Sequence, residues 1–251
     1  MRLAGGVEIP RVGFGTWQLT RRAATDAVRH ALRAGYRHID TATLYGNEAE
    51  IGRALRDSGV PRSEVFITTK LPPERVKRAR KTLEQSLSAL KVPSVDLWLI
   101  HAPPPGQELI TAWQSLLAAR ADGLTRAIGV SNFSTAQLDR LANETGEMPA
   151  LNQIPWSPWD HDPKRLAEHQ ERGVVLEGYS PFKRSDLRSP VLAEIAAAHD
   201  RTPAQVVLRW HLQHGIVVIP KSGTPARIDE NLDLYGFALT DDEMSTLDAL
   251  A

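Results

Sequence analysis

Short apolar segments and amphipathic segments alternate about eight times along this sequence, and this alternation constrains the fold more than any other feature. Residues 65–69, for example, form a run of β-branched and aromatic residues typical of a strand, and the next segment carries Val76, Leu83 and Leu87 at helical spacing. Strand–helix alternation predicts a parallel sheet with right-handed crossover connections. Eight such units in 251 residues favour an α/β protein of the (β/α)8 TIM-barrel type over an open doubly wound sheet.

The domain organisation is predicted from the continuity of this pattern. No linker, charge block or low-complexity run interrupts it, so residues 1–251 are predicted to form a single domain. Near the start, Gly5 and Gly6 separate two short extended runs within residues 2–9, which predicts an N-terminal β-hairpin. Residues 13–15 read Gly-Phe-Gly, but the third glycine of a dinucleotide-binding fingerprint is missing. A classical dinucleotide-binding domain is therefore not predicted.

The charge balance and the lack of cysteine exclude several classes of function. Lysine and arginine total 30 and the acids also total 30, so no overall field favours nucleic acid or an anionic membrane. Without cysteine the chain has no disulfide and no thiol nucleophile. The first residues lack the apolar core of a signal peptide, and no apolar run approaches the ~20 residues of a membrane span. A cytoplasmic protein without nucleic-acid or membrane partners is predicted.

Polar or aromatic side chains follow every predicted strand of the sheet. They are Thr16 and Trp17, Asp40, Lys70, His101, Ser131 and Asn132, Gln153, Tyr179 and Ser180, and Lys221 and Ser222. Each has an ordinary explanation when considered alone, such as a surface position for Lys70 or a core position for His101. In a (β/α)8 barrel, however, the carboxyl ends of the strands surround one mouth, where active sites lie. The convergence of these groups predicts an active site there.

The ionisable groups at these ends suit proton donation better than hydrolysis or metal binding. Asp40 is the only acid among them, whereas glycoside hydrolysis needs two, and no cluster of carboxylates predicts a metal. Tyr45 follows in the next loop, but a phenol with a pKa of ~10 is a poor acid at neutral pH. A nearby ammonium such as Lys70 lowers a phenol's pKa. With His101 to orient a carbonyl, the set predicts acid catalysis of C=O reduction by a cofactor-borne hydride.

Ordered motifs along essentially the whole chain resemble those of the aldo-keto reductase family, particularly short prokaryotic members similar to 2,5-diketo-D-gluconate reductases. The matching segments are residues 13–17, 35–42, 45–48, 67–70, 96–101, 128–133, 152–153, 179–181, and 219–222 with 227–231. These ordered matches together are far more specific than any one of them. The resemblance implies a (β/α)8 barrel and NADPH-dependent reduction of an aldehyde or ketone to an alcohol.

The resemblance also implies a role for each matching position. Tyr45 would be the general acid and Lys70 the partner that lowers its pKa. Asp40 would anchor the lysine, and His101 would orient the carbonyl. The implied cofactor contacts are Thr16, Trp17, Asp40, Ser131, Asn132, Gln153, Tyr179, Ser180, Phe182, Lys183, Lys221, Ser222, Arg227, Glu230 and Asn231.

Different parts of NADPH would contact different members of this cofactor set. The nicotinamide would contact Ser131, Asn132 and Gln153 through its amide and Tyr179 through its ring. The pyrophosphate would lie along Ser180, Phe182 and Lys183, and the adenine end along Glu230 and Asn231. Lys221, Ser222 and Arg227 would hold the 2′-phosphate, a role that suits two cations and a hydroxyl and favours NADPH over NADH.

Departures from the family pattern predict an open substrate pocket. Many relatives have tryptophan directly after the strand-end histidine, whereas this sequence has Ala102 followed by three prolines. The neighbouring loops are short, and the chain ends soon after its last predicted helix. The predicted substrate contacts are Trp17, Tyr45, His101 and Ala102, with Trp156 and Trp159 as candidates for further walls. A weakly selective pocket for small carbonyl compounds is expected.

Two other functions fit the sequence less well. A binding or regulatory protein could retain the reductase fold and its NADPH with little turnover, although the four catalytic-type residues argue against it. A cofactor-free barrel isomerase or lyase would leave the segment 221–231 unexplained. The tendency of the family implies a monomer whose partner is a small-molecule carbonyl substrate.

Overall fold

Eight parallel strands form one sheet in which each strand lies beside its neighbours in the sequence. The computed structural model describes all 251 residues. The strands are β1 (Phe14–Gly15), β2 (His38–Asp40), β3 (Phe66–Leu71), β4 (Val95–Ile100), β5 (Thr125–Ser131), β6 (Leu151–Pro155), β7 (Val175–Tyr179) and β8 (Val217–Val218). The helices are α1 (Arg21–Ala34), α2 (Glu48–Ser58), α3 (Ala79–Leu90), α4 (Glu108–Ala121), α5 (Thr135–Thr145), α6 (Pro163–Glu171), α7 (Pro190–Ala198), α8 (Pro203–Gln213), α9 (Pro225–Glu230) and α10 (Asp241–Asp248). The predicted strand–helix alternation is confirmed.

The last strand returns to the first edge of the sheet. Val12, which directly precedes the Gly13 that leads into β1, forms a parallel bridge with Val218 of β8. The Gly13 amide donates to the Val218 carbonyl at 2.9 Å, and the Val218 amide donates to the Arg11 carbonyl at 3.0 Å. The sheet therefore curls onto its own beginning, as expected for a (β/α)8 protein, and the carboxyl ends of its strands face one side.

The N-terminal segment forms a turn rather than a ladder of two strands. Gly5 and Gly6 have φ angles of 82° and 81°, a left-handed conformation that glycine adopts readily. One antiparallel bridge pairs Arg2 with Glu8, and no strand extends on either side of the turn. Because no strand forms before β1, the predicted N-terminal β-hairpin is not confirmed.

Local capping signals define where several helices begin. Capping boxes begin at Ser134, Thr202 and Thr240. By contrast, Thr20, which precedes α1, makes no side-chain capping hydrogen bond. Arg21, the first residue of α1, has a left-handed φ of 50°. The chain therefore enters α1 without the regular geometry that a side-chain cap requires.

A second apolar cluster packs α7, α8 and α10 together, beside the larger core between the sheet and the other helices. Trp156 and Trp210 are both buried in it, and Trp159 packs against it. Trp210 Nε1 donates to Asp248 Oδ1 at 2.7 Å, and His214 Nε2 lies 2.8 Å from the same oxygen, which attaches the C-terminal helix. The pocket-wall role considered for Trp156 and Trp159 is therefore not supported, because Trp156 is buried in this cluster and Trp159 packs against it.

None of the ten helices has both the length and the apolar composition that crossing a membrane requires.

Candidate active site

A cavity of about 660 Å³ lies at the carboxyl ends of the strands. Its walls include thirteen of the residues predicted to form the site: Thr16, Trp17, Asp40, Tyr45, His101, Ser131, Asn132, Gln153, Tyr179, Ser180, Phe182, Lys183 and Lys221. Neighbouring parallel strands place their last residues at the same edge of the sheet, which is why positions far apart in sequence meet here. The predicted convergence of strand-end side chains is present in the fold.

A buried ion pair joins Asp40 in the cavity wall to Lys70 behind it. Lys70 Nζ donates hydrogen bonds to Asp40 Oδ1 at 2.7 Å and to the Thr41 carbonyl at 2.8 Å. The Lys70 side chain is fully buried and that of Asp40 is 2% exposed. Lys70 Nζ also lies 3.3 Å from Tyr45 Oη, so the ammonium links the carboxylate to the phenol. Charges buried this deeply require such pairing, because isolated ions lose too much hydration energy.

The loop that carries Tyr45 is held by hydrogen bonds on both sides of that residue. Before it, Thr43 Oγ1 donates to the Lys70 carbonyl at 2.9 Å. After it, the buried Asn47 side chain donates through Nδ2 to the Thr16 carbonyl at 2.9 Å. Because the loop is bonded to β3 on one side and to the segment after β1 on the other, the phenol is kept within reach of the ammonium.

Burial and neighbouring charges set the protonation of Lys70 and Tyr45. Burial lowers the pKa of Lys70, but Asp40 and Tyr45 raise it by more than burial lowers it. The pKa of Lys70 therefore lies above its ordinary value, and the ammonium stays charged. Burial raises the pKa of Tyr45, and the charge and hydrogen bond of Lys70 lower it. The net pKa of Tyr45 is raised. The lysine therefore lowers the pKa of Tyr45 as predicted, but burial outweighs its effect.

His101 is a neutral imidazole at the cavity wall. Burial, followed by the charge of Lys70, lowers the pKa of His101 to about 4. Its Nδ1 is buried without a hydrogen-bond partner, which leaves Nε2 as the ring nitrogen for the cavity. The ring lies edge-on to that of Tyr45, with centroids 5.7 Å apart. A phenol and a neutral imidazole at this separation can both reach one carbonyl oxygen.

A linked set of polar groups follows the ends of β5, β6 and β7. Tyr179 Oη donates to Asn132 Oδ1 at 2.9 Å, and Asn132 Nδ2 donates to Ser131 Oγ at 3.0 Å. Ser131 Oγ in turn donates to the Gln153 carbonyl at 2.9 Å. Asn132 and Ser180 have left-handed φ angles of 64° and 54°, and such strained positions cluster at functional sites. The set therefore has a fixed geometry before any ligand binds.

The outer wall of the cavity is apolar and open to solvent. Trp17 is 53% exposed and Leu44 is 49% exposed, although both are large apolar side chains. The Trp17 ring lies 5.0 Å from the Tyr45 ring. Leu44 and Gln18 line the cavity but are absent from the predicted set. Each is adjacent in sequence to a predicted residue, but side-chain directions in loops follow no periodicity that the sequence reveals.

Five predicted contacts lie outside the cavity lining: Ala102, Ser222, Arg227, Glu230 and Asn231. The prediction that Ala102 contacts the substrate is not supported, because His101 alone forms the wall after β4. Glu230 Oε1 accepts a hydrogen bond from Thr202 Oγ1 at 2.6 Å, and Asn231 is buried. Both therefore have structural roles in this fold, and their contacts with adenine stay a prediction.

A buried acid that was absent from the predicted site lies next to Asp40. Glu177 of β7 is fully buried, and Gln153 Nε2 donates both to Glu177 Oε2 at 2.7 Å and to Asp40 Oδ2 at 2.8 Å. The available signal in the sequence was an acid within the otherwise apolar run 174–178. Its neighbours Asp40 and Gln153 lie on β2 and β6, so only the tertiary structure shows that they are close to Glu177.

The fold and the cavity together define an α/β protein in which a phenol, a buried ammonium and a neutral imidazole meet at the strand ends. The family model described as the Aldo/keto reductase family matches residues 11–251. This chain belongs to the aldo/keto reductase family of oxidoreductases.

Known proteins are similar over nearly their whole length. Methylglyoxal reductase DkgA of Salmonella typhimurium is 40% identical over 251 residues, which cover 98% of this chain and 91% of that protein. The crystal structure of an aldo/keto reductase from Brucella melitensis has a TM-score of 0.97 and 41% identity, covering 100% and 98% of the two chains. The Bombyx mori aldo-keto reductase in complex with NADP has a TM-score of 0.95 and 32% identity, covering 100% and 92%. The family predicted from the motifs is confirmed.

Proposed function

We propose that this protein reduces aldehydes and ketones to alcohols with NADPH, and that Tyr45 is the general acid. The observation that carries the proposal is the buried series from Asp40 through Lys70 to Tyr45, which reaches the same cavity as neutral His101. Membership of the family supports carbonyl reduction. The NADP bound to the Bombyx mori relative supports the choice of cofactor.

The cavity has the chemical groups that a nicotinamide dinucleotide requires. Asn132 and Gln153 present amides that suit the carboxamide, and the half-buried Tyr179 offers a ring face. Lys183 and Lys221 line the same cavity and suit phosphate groups. When bound, NADPH would supply a hydride to the carbonyl carbon of the substrate. The residues of the chain therefore have only to bind the cofactor and the substrate, orient the carbonyl group and protonate its oxygen.

The proton would move from Tyr45 Oη to the substrate oxygen as that oxygen gains negative charge. The raised pKa keeps the phenol protonated at neutral pH, so the acid form is present before reaction. The Lys70 ammonium, 3.3 Å away, stabilises the phenolate that remains, and Asp40 keeps the ammonium in place. His101 Nε2 donates a hydrogen bond that orients the carbonyl. The lysine thus assists in the transition state rather than by ionising Tyr45 beforehand.

The substrate end of the cavity favours small carbonyl compounds with little selection among them. Trp17 and Leu44 are apolar and largely exposed, so they offer contact area without charge or a closed shape. The name of the DkgA relative makes methylglyoxal a suitable first substrate. We expect comparable kcat/KM values across a panel of aliphatic and aromatic aldehydes. Activity confined to one compound would contradict an open pocket.

One assay tests the proposed function against its alternatives. NADPH oxidation is followed by absorbance with methylglyoxal and with nitrobenzaldehyde, and NADPH binding is titrated by fluorescence. Turnover supports carbonyl reduction. Binding without turnover would indicate a binding or regulatory protein, and neither binding nor turnover would favour a cofactor-free isomerase or lyase.

We expect Lys221→Ala combined with Arg227→Ala to weaken NADPH binding about tenfold or more, while NADH affinity changes little. Both cations are proposed to hold the 2′-phosphate, which NADH lacks, and charge-assisted bonds to phosphate are strong. Fluorescence titration with each nucleotide measures the two dissociation constants. Lys81→Ala, an exposed lysine on α3, serves as the control. Equal losses for NADPH and NADH would contradict this assignment.

A further inference from the structure

Glu177 is a buried carboxyl group that the proposed proton transfer does not use. It is fully buried in β7 and lies in register with Gln153 of β6. Gln153 Nε2 donates to Glu177 Oε2 at 2.7 Å and to Asp40 Oδ2 at 2.8 Å. An amide nitrogen has two hydrogens, so these two acceptors use both of them. The amide oxygen of Gln153 is consequently the group left for a ligand in the cavity.

A contribution to stability does not account for this acid. Glu177 Oε1 is buried without a hydrogen-bond partner, a cost that an apolar side chain would avoid. His38 Nε2 lies 3.7 Å from that oxygen, but burial lowers the pKa of His38 to about 3. Burial, and then the charge of Asp40, raise the pKa of Glu177 to about 8. The two groups are therefore neutral at neutral pH, and their contact is not an ion pair.

We propose that Glu177 is a positioning residue for the nicotinamide and acts through Gln153. Together with Asp40, it holds the Gln153 amide with its oxygen toward the cavity, where that oxygen accepts a hydrogen bond from the carboxamide of the cofactor. This inference rests on the proposed function, since it requires a bound nicotinamide. Without Glu177, one hydrogen of the Gln153 amide loses its acceptor, and Asp40 alone holds the amide.

The arrangement places one negative charge, not two, around the Gln153 amide. Asp40 carries it because Lys70 pairs with it at 2.7 Å, whereas Glu177 keeps its proton. The charged or titratable groups that face Glu177 are Asp40, Lys70 and His38. A proton on Glu177 thus avoids repulsion between two carboxylates that share a donor.

This protonation has a measurable consequence for stability. Between about pH 5 and about pH 8 the folded protein holds a proton on Glu177 that the unfolded chain has lost, so stability falls as pH rises. E177Q removes this linkage. The thermal midpoints of E177Q and wild type are measured by calorimetry. We expect the midpoint of E177Q minus that of wild type to increase by several degrees as pH rises through this range. If the difference in thermal midpoint between E177Q and wild type does not change with pH, Glu177 is not protonated in the folded protein.

Binding measurements on E177L and E177Q test the positioning role. The probes are NADP+ and 2′-phospho-ADP-ribose, which lacks the nicotinamide. We expect E177L to weaken NADP+ binding about five- to tenfold, as loss of one hydrogen bond does, and to leave binding of 2′-phospho-ADP-ribose unchanged. E177Q retains an acceptor oxygen for the Gln153 amide and should bind both probes as wild type does.

A second comparison separates an action through Gln153 from general damage. In a Q153L background, E177L should cause no further loss of NADP+ affinity. Wild-type NADP+ affinity in E177L, or equal losses for both probes, would overturn the positioning role alone. Wild-type protein that binds neither probe would overturn the proposed function as well. If circular dichroism shows that E177L does not fold, E177M removes the same acceptor and takes its place.

Discussion

Tyr45→Phe is expected to lower the rate of NADPH-dependent carbonyl reduction by about 10²- to 10⁴-fold, the usual contribution of a general acid. The substitution removes the proposed proton donor but keeps the ring, whose contacts with Trp17 and His101 do not involve the hydroxyl. NADPH affinity should therefore be nearly unchanged. Steady-state kinetics with methylglyoxal and a fluorescence titration of NADPH measure the two effects separately.

Tyr235→Phe is the matched control for this substitution. Tyr235 is 63% exposed and lies outside the cavity lining, so both rate and affinity should equal those of wild type. A Tyr45→Phe variant that retains most of the activity would exclude Tyr45 as the acid. A large loss of NADPH affinity with kcat preserved would assign Tyr45 to cofactor binding instead.

Lys70→Met is expected to abolish activity and also to lower the free energy of unfolding by about 3–5 kcal/mol. The change leaves the Asp40 carboxylate buried without its cation, and a buried unpaired charge is strongly destabilising. Methionine is similar in length to lysine, so a large cavity is not created. The loss of activity follows because no ammonium remains to stabilise the Tyr45 phenolate. Urea unfolding measures the stability.

Two further variants control for the effect of Lys70→Met. Asp26→Asn breaks the exposed pairs with Arg22 and Arg29, which should cost less than about 1 kcal/mol. Replacing both buried partners, as in D40L/K70M, should recover much of the stability but none of the activity. If the Lys70→Met protein is as stable as the Asp26→Asn protein, the buried pair of Asp40 and Lys70 contributes little to the free energy of unfolding.

The residues at strand ends were predictable because they follow from local patterns. Asp40, Lys70 and His101 each come at or directly after an apolar run, and parallel strands bring such positions to one edge. Their roles, and the addition of Tyr45, came from the chemistry of the set and from the family motifs. The structure places these four groups together, and the family they indicated is confirmed.

Other positions could not be assigned because they lie where the chain leaves regular structure. Trp156 and Trp159 follow a strand end, as site residues do, yet their side chains pack against α7, α8 and α10. Ala102 follows His101 directly but does not reach the cavity. Leu44 does reach it, from a loop in which side-chain direction depends on tertiary packing.

By itself, the sequence determined the alternation of strands and helices, the family, and which residue types arrive at the strand ends, since all three depend on neighbours along the chain. The tertiary structure alone decided which atoms meet. Gln153 and Asp40 are separated by 113 positions, yet their side chains are 2.8 Å apart. It also decided protonation, because the degree of burial raises the pKa of Tyr45 and of Glu177 and lowers that of His101. Desolvation depends on everything packed around a group, and no local pattern of residues records it.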